Sequence, residues 1–546
     1  MTAVEGPAAE AGRARRPADP RSVLGLVMLS FDGQVAPAAM LRRLRSAPAA
    51  GVTLYRWRNA GPPAAVRALT SSLVEAAGGP LLIAVDQEGG QLDTLGDGVT
   101  AFPGAMALGA TGDEELAARV AYATGLELRA MGVNVNYAPV LDVTTDPANP
   151  AIGIRSFGSS PESVARFGAA TVHGLAAAGV AATAKHFPGI GDIDRDSHHE
   201  LAMIPHDRDR FSAVELAPFR AAIAAGASIV MSGHVAVPGL TGRDDLPATL
   251  SSVAMRSILR DELGFEGVTI TVALDMHALA QGTNQIVDVL AAIRAGVDLL
   301  LFGDPTGREE LERSLVLSAA RGLVDLYALD ASLARIEGLR GRLAAVPSPE
   351  LSVVGSAAHR ALAADVAARS ITLVRDDAGM LPLRIAPDAR ILAVMPRPTD
   401  LTPADTSSAV PPLLAGALRR IHPRVDELVV DPSPSDAEIA GARAAAESAD
   451  LVVVGTISAS LHPAQAALVA ALLETGRPTV TLALRTPFDL AVYPASTTHL
   501  CTYGLLEPSM AALAAVLAGE ADAPGRLPAP IPGLYPAGSG RSVEAA

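Results

Sequence analysis

Aromatic side chains are scarce in this chain of 546 residues, at 3%, while hydrophobic residues as a class reach 49%. Alanine, valine and leucine must therefore do most of the packing. There is one cysteine, Cys501, which excludes an intramolecular disulfide and a thiolate metal cluster. Its apolar setting in residues 498–503 marks it as a packing residue of a buried strand. No apolar run reaches the roughly 20 residues of a membrane span, and no apolar segment precedes a cleavage site near the N-terminus. Basic residues are outnumbered, 43 Lys and Arg against 58 Asp and Glu, for a formal net charge of -15. That balance argues against nucleic acid and anionic membranes as partners. A soluble, cytoplasmic protein is expected.

The chain is too long for one core. Residues 1–21, rich in Ala, Glu, Arg and Pro, read as a disordered leader. Short apolar runs then alternate with amphipathic helical stretches, with strands expected near 23–31, 52–56, 81–86, 133–138, 180–186, 228–234, 268–272 and 298–302. Eight strands separated by helices such as 64–77, 114–131, 161–178, 213–225 and 253–263 predict a (β/α)8 TIM-like barrel over 22–345. Asp86, Asn136, His186 and His234 all fall at carboxyl ends of strands, the end where a barrel builds its site. A linker at 346–350 leads to six more strands alternating with helices over 351–530, an α/β sandwich domain. No Gly-rich phosphate fingerprint follows any of them, so no nucleotide is assigned. Residues 531–546 read as an irregular tail.

The densest chemistry lies in Lys185-His186-Phe187-Pro188-Gly189-Ile190-Gly191-Asp192, running on to Asp196-Ser197-His198. Small apolar residues lead into it as a strand buried on both faces, and Pro188, Gly189 and Gly191 then force a loop. Lys185 and His186 thus sit at a strand end, ahead of a loop carrying Asp192, Asp194, Asp196, His198 and His199. A carboxylate beside an imidazole can hold its tautomer and raise its pKa, as a general acid/base requires. Solvated positions suffice to explain Asp192 and Asp194.

Several segments in order resemble the family 3 glycoside hydrolases, and the bacterial β-N-acetylglucosaminidases (β-N-acetylhexosaminidases) within them. They are Asp86-Gln-Glu-Gly-Gly90, residues 132–143, Ile152-Gly-Ile-Arg-Ser-Phe-Gly158, Lys185-His-Phe-Pro-Gly189 with Asp196-Ser-His198, Pro247-Ala-Thr-Leu-Ser251 and Gly264-Phe-Glu-Gly267. Residues 370–375 and 381–383 match the start of the family's second domain. The resemblance implies hydrolysis of O-glycosyl bonds in N-acetylglucosaminides, as in cell-wall (peptidoglycan) carbohydrate metabolism. It implies a carbohydrate ligand, no cofactor and no metal. By the same resemblance Asp86, Arg155, Lys185 and His186 bind the sugar, the last three as donors, and His198 held by Asp196 forms the acid/base dyad. Asp142 orders the neighbouring loop.

The pattern breaks at the nucleophile. The family places an Asp directly after the strand that follows Gly-Phe-x-Gly, and here Val272 occupies that position. A valine has no lone pair for an anomeric carbon. Asp275, three residues on, is the nearest carboxylate that could substitute. Gln91 and Thr94 stand where the family has arginines, and Ile190 where it has a histidine. Two functions remain open: an active glycosidase on N-acetylglucosaminides that uses an unorthodox nucleophile or none, or a pseudo-glycosidase that binds a sugar, an anionic ligand or a protein partner. With one carboxylate gone, Lys185 and Arg155 should be less compensated and the pocket more electropositive than in active relatives.

Overall fold

The computed structural model describes residues 19–196 and 199–543. Eight short parallel strands form one sheet: β1 (Val27–Leu29), β2 (Gly51–Thr53), β3 (Leu82–Val85), β4 (Val135–Asn136), β5 (Ala181–Phe187), β6 (Ile229–Ser232), β7 (Val268–Thr271) and β8 (Leu300–Leu301). They follow chain order around the sheet, with β8 paired to β1, and the Ile270–Leu299 bridge joins β7 to β8. The result is the expected barrel. Helices cover its outside, so its strands are buried throughout and read as unbroken apolar runs rather than alternating ones.

The helices start where their caps allow. Glu114–Ala130 is opened by Asp113, whose side chain accepts from Leu116 N, with Glu114 and Glu115 in the first turn. Pro161–Ala177 begins with Ser160 as cap and proline at its first position. The segment near 253–263 is wound with i to i+5 bonds over Val253–Glu262. Two expectations need correction. Residues 23–31 are not one strand, because the Asp19 cap and Pro20 start a helical turn, Pro20–Leu26, that leaves β1 only Val27–Leu29. That turn also shortens the expected leader, whose residues 1–18 lie outside the described residues. The helix at 213–225 is two, Arg208–Ala213 and Leu216–Ala224, the second with Pro218 in its first turn.

The second domain is a six-stranded sheet of β9 (Thr372–Asp376), β10 (Ile391–Pro396), β11 (Val425–Val430), β12 (Leu451–Thr456), β13 (Thr479–Ala483) and β14 (Thr498–Cys501). The order is β9-β14-β13-β12-β10-β11, parallel except for β9 against β14. Alternate residues feed two cores, Ala393, Val453 and Leu482 one, Val394, Val454 and Ala483 the other. Barrel residues Met106, Ala107 and Ile154 join the second of these, so the two domains share buried apolar surface. The tail is irregular but tied down, with Arg541 N donating to Leu373 O at 2.8 Å. Among the described residues no helix is long and apolar enough to cross a membrane.

Barrel closure leans on one carboxylate. Asp298, fully buried just before β8, accepts from Thr269 N on β7 at 2.9 Å and from Ser332 Oγ at 2.6 Å. The guanidiniums of Arg260 and Arg335 lie 2.8 and 2.6 Å away. Removing it strands two cations and an amide, so Asp298→Ala is expected to lower barrel stability by about 3–5 kcal/mol. Urea unfolding measures this, and a loss below about 1 kcal/mol would show that closure does not rest on Asp298.

Candidate active site

Asp86 follows β3 directly, and Lys185 and His186 lie within β5, at the same mouth of the barrel. Lys185 is the sole lysine of the chain, every other basic residue being arginine. Its side chain is 1% exposed, and its ammonium lies 2.6 Å from Asp86 Oδ1 and 2.6 Å from Glu88 Oε1. Glu88 also takes a bidentate contact from Arg155, at 2.9 and 2.8 Å. Burial pushes the Glu88 carboxyl up, but Arg155 and Lys185 outweigh it and bring the pKa to about 2. Burial likewise opposes the Arg155 guanidinium, and Glu88 more than offsets that.

Glu88 is the site residue that motif reading passed over. Its signal was available: Asp86 and Glu88 are two apart in extended chain, which places both side chains on one face. Within the cluster two cations, Lys185 and Arg155, face two carboxylates, Asp86 and Glu88. Exposure separates the four: the Asp86 side chain keeps 24% of its surface, against 4% for Arg155 and 7% for Glu88. Asp86 is the member that a ligand in the mouth can reach.

His186 packs against Asp142, with Nδ1 2.8 Å from Asp142 Oδ2. Burial lowers the imidazole pKa and Asp142 only partly restores it, so the ring is neutral at pH 7. A carboxylate can only accept, so the proton sits on Nδ1 and Nε2 keeps its lone pair. Asp142 also accepts from Ile190 N at 2.8 Å, ordering the loop as expected.

Within that loop Asp194 is exposed, but Asp192 is not a solvated position. It accepts from Thr145 Oγ1 at 2.7 Å and pairs with His206 Nε2. Burial raises its pKa and these two partners lower it further than burial lifts it. Asp196 is buried, and its carbonyl receives His199 N at 3.0 Å. His198, the expected acid/base, lies outside the described residues.

Val272 continues β7, its N donating to Ser232 O at 3.2 Å, and is 9% exposed. It stands two strands from Lys185, roughly 10 Å across the sheet at the usual strand spacing. Both oxygens of Asp275 are occupied, Oδ1 by Gly303 N at 2.8 Å and Oδ2 by Asp304 N at 2.6 Å. Thr94 donates to the carbonyl of Asp86 at 2.6 Å. Gln91 looks outward to the second domain, its Oε1 accepting from Arg485 and its carbonyl from Thr406 N at 2.8 Å. Among the described residues no three His, Cys, Asp or Glu side chains are grouped to hold a metal ion.

Residues 50–339 match the Glycosyl hydrolase family 3 N terminal domain. Over 503 residues the chain is 32% identical to the beta-hexosaminidase A of Pseudoalteromonas piscicida, spanning 82% of this chain and 83% of that protein. A beta-hexosaminidase of Nitrosomonas eutropha is 35% identical over 326 residues, 58% of this chain and 90% of the relative. The glycoside hydrolase family 3 beta-N-acetylglucosaminidase of Paenibacillus sp. str. FPU-7 superposes with a TM-score of 0.88 at 36% identity, covering 94% of this chain and 98% of that one. Barrel, second domain and mouth therefore agree on one assignment: the chain belongs to glycosyl hydrolase family 3, in its β-N-acetylhexosaminidase branch.

Proposed function

We propose that the barrel mouth binds N-acetyl-β-glucosaminides and that their hydrolysis is strongly impaired, because Val272 stands at the position of the family nucleophile. The observation that carries this is that the neighbouring carboxylates among the described residues already have partners. Asp275 already accepts two backbone amides and serves as a brace for the loop after β8. Asp86 and Glu88 are engaged by Lys185 and Arg155. Each of these carboxylates is thus already engaged in bracing or charge pairing.

The remaining parts have clear tasks. Asp86 accepts from vicinal sugar hydroxyls, with Lys185 holding it in place. His186 Nε2 accepts from a further hydroxyl. Arg155 acts through Glu88 rather than at the mouth. Asp196 and His198 form the acid/base pair, which helps the leaving group depart. The oxocarbenium-like state then has no carboxylate beneath it.

Losing a nucleophile costs on the order of 10⁴–10⁶ in turnover. Purified protein should therefore release little or no aryl alcohol from an aryl N-acetyl-β-glucosaminide. Val272→Asp is expected to restore a fraction of the activity, since Thr94 and Gln91 do not return the arginines. Brisk turnover by the unaltered chain that Asp275→Ala abolishes would identify Asp275 as the nucleophile and end this proposal.

Glu88 makes a second expectation quantitative. Its pKa is depressed from the usual 4.5 to about 2, so its stabilisation is fully present above about pH 4.5 and fades as pH falls toward 2. The shift corresponds to about 3 kcal/mol at pH 7. Glu88→Gln should be less stable than the parent by about that much between pH 5 and 7, with the gap closing below pH 4. Urea midpoints across this range measure it, and a gap of constant size down to pH 3 would contradict the assignment.

A further inference from the structure

The chain has a single tryptophan, Trp57, and 62% of it is exposed. It belongs to the short helix Arg56–Asn59 just after β2, so it stands on the same rim as Asp86 and Lys185. Leaving an indole in water gives up a large burial gain in a chain short of aromatics. The other aromatic side chains left exposed, Tyr122 and Tyr327, lie on barrel helices away from the mouth.

The turn that presents Trp57 is firmly built. Asn59, buried, accepts from Tyr55 N at 3.0 Å and donates to Phe31 O and Gly33 O, both at 3.0 Å, joining the loops after β1 and β2. The Arg56 guanidinium lies 5.6 Å from the centre of the indole and donates to Asp93 O at 2.8 Å. The next residue, Thr94, holds the carbonyl of Asp86. Tyr55, at the base of the turn, lies near enough to Asp86 for that carboxylate to help raise its pKa, after burial and Tyr137. Through Arg56 and the Asp93–Thr94 segment, the turn that carries the indole is linked to the segment of Asp86.

A β-linked pyranose with equatorial substituents shows a face of C–H bonds, apolar and slightly positive, that suits the negative face of an indole. The guanidinium beside the ring stiffens it and offers donors at its edge. We propose that Trp57, backed by Arg56, is the platform for a second sugar ring of a ligand whose first ring is held at Asp86. The mouth then takes N-acetylglucosamine-containing oligosaccharides in preference to the monosaccharide. This rests on the N-acetylglucosaminide assignment of the mouth, and the test separates the two.

Because Trp57 is the only indole, its fluorescence reports the platform without background. The full chain is titrated with N-acetylglucosamine and with the S-linked β-1,4 disaccharide of N-acetylglucosamine, which turnover cannot consume. Calorimetry gives the affinities of the parent, Trp57→Ala and Trp57→Phe. The disaccharide should bind roughly three- to tenfold more tightly than the monosaccharide and alter the fluorescence. Trp57→Ala should erase that preference, and Trp57→Phe should keep most of it. Equal affinity for the two sugars, with the emission unmoved, overturns the platform and leaves the N-acetylglucosaminide assignment standing. An emission change with the monosaccharide and no preference for the disaccharide places Trp57 at the first ring and also overturns it. If neither sugar binds, both proposals fall.

Discussion

A lysine side chain only 1% exposed must have its ammonium neutralised where it stands, and much of the barrel mouth is arranged around doing so for Lys185. Asp86 and Glu88 each approach it to 2.6 Å, and Arg155 then takes up the rest of Glu88. Three separate segments, the one after β3, the end of β5 and the turn Gly153–Arg155, are pinned against one another by this cluster. An arginine would not serve in its place, because a planar fork cannot put one compact charge equally close to two carboxylates. A chain that uses arginine at every other basic position keeps a lysine here. Because only Asp86 of the four reaches water appreciably, the cluster also orients the one carboxylate a ligand can touch.

The substitutions around this cluster differ in physical character. Val272 fits its surroundings, since a β-branched side chain suits a strand end and its backbone amide keeps the ladder bond to Ser232. The strand therefore accommodates a valine at position 272 with its backbone pairing intact. Gln91 has a positive reason to be there. Arg485 of the second domain, buried and bonded to Asp405 at 2.8 Å, points at it. A second guanidinium at position 91 would set like charges together in a dry interface. Thr94 is short enough to bond its own hairpin's Asp86 carbonyl. Gln91 thus ties the hairpin beside Asp86 to the second domain.

The alternation of apolar runs with amphipathic helices was sufficient to predict the barrel and the second sheet, because strands buried on both faces and helices packed on one leave different periodicities. The strand-end motifs placed Asp86, Lys185, His186 and Val272 at one mouth, since parallel barrel strands all end on the same face. The same local patterns misjudged residues 23–26, where a cap and a proline redirected an apolar run that could equally have been a strand. They also misjudged Asp192, whose partners Thr145 and His206 come from elsewhere in the chain.

What the sequence by itself determined is what local chemistry can encode: which segments are buried, where they stop, and which residue types stand at the stops. A valine at position 272 excludes attack by that side chain whatever surrounds it. Only the tertiary structure decided who pairs with whom. The charge balance of the mouth depends on Glu88 meeting Arg155 across 67 residues. The commitment of Asp275 depends on amides 28 and 29 residues away, and Gln91 meets Arg485 across 394. Electrostatic compensation in a buried site falls off over a few ångströms of space, and distance along the chain carries no information about that.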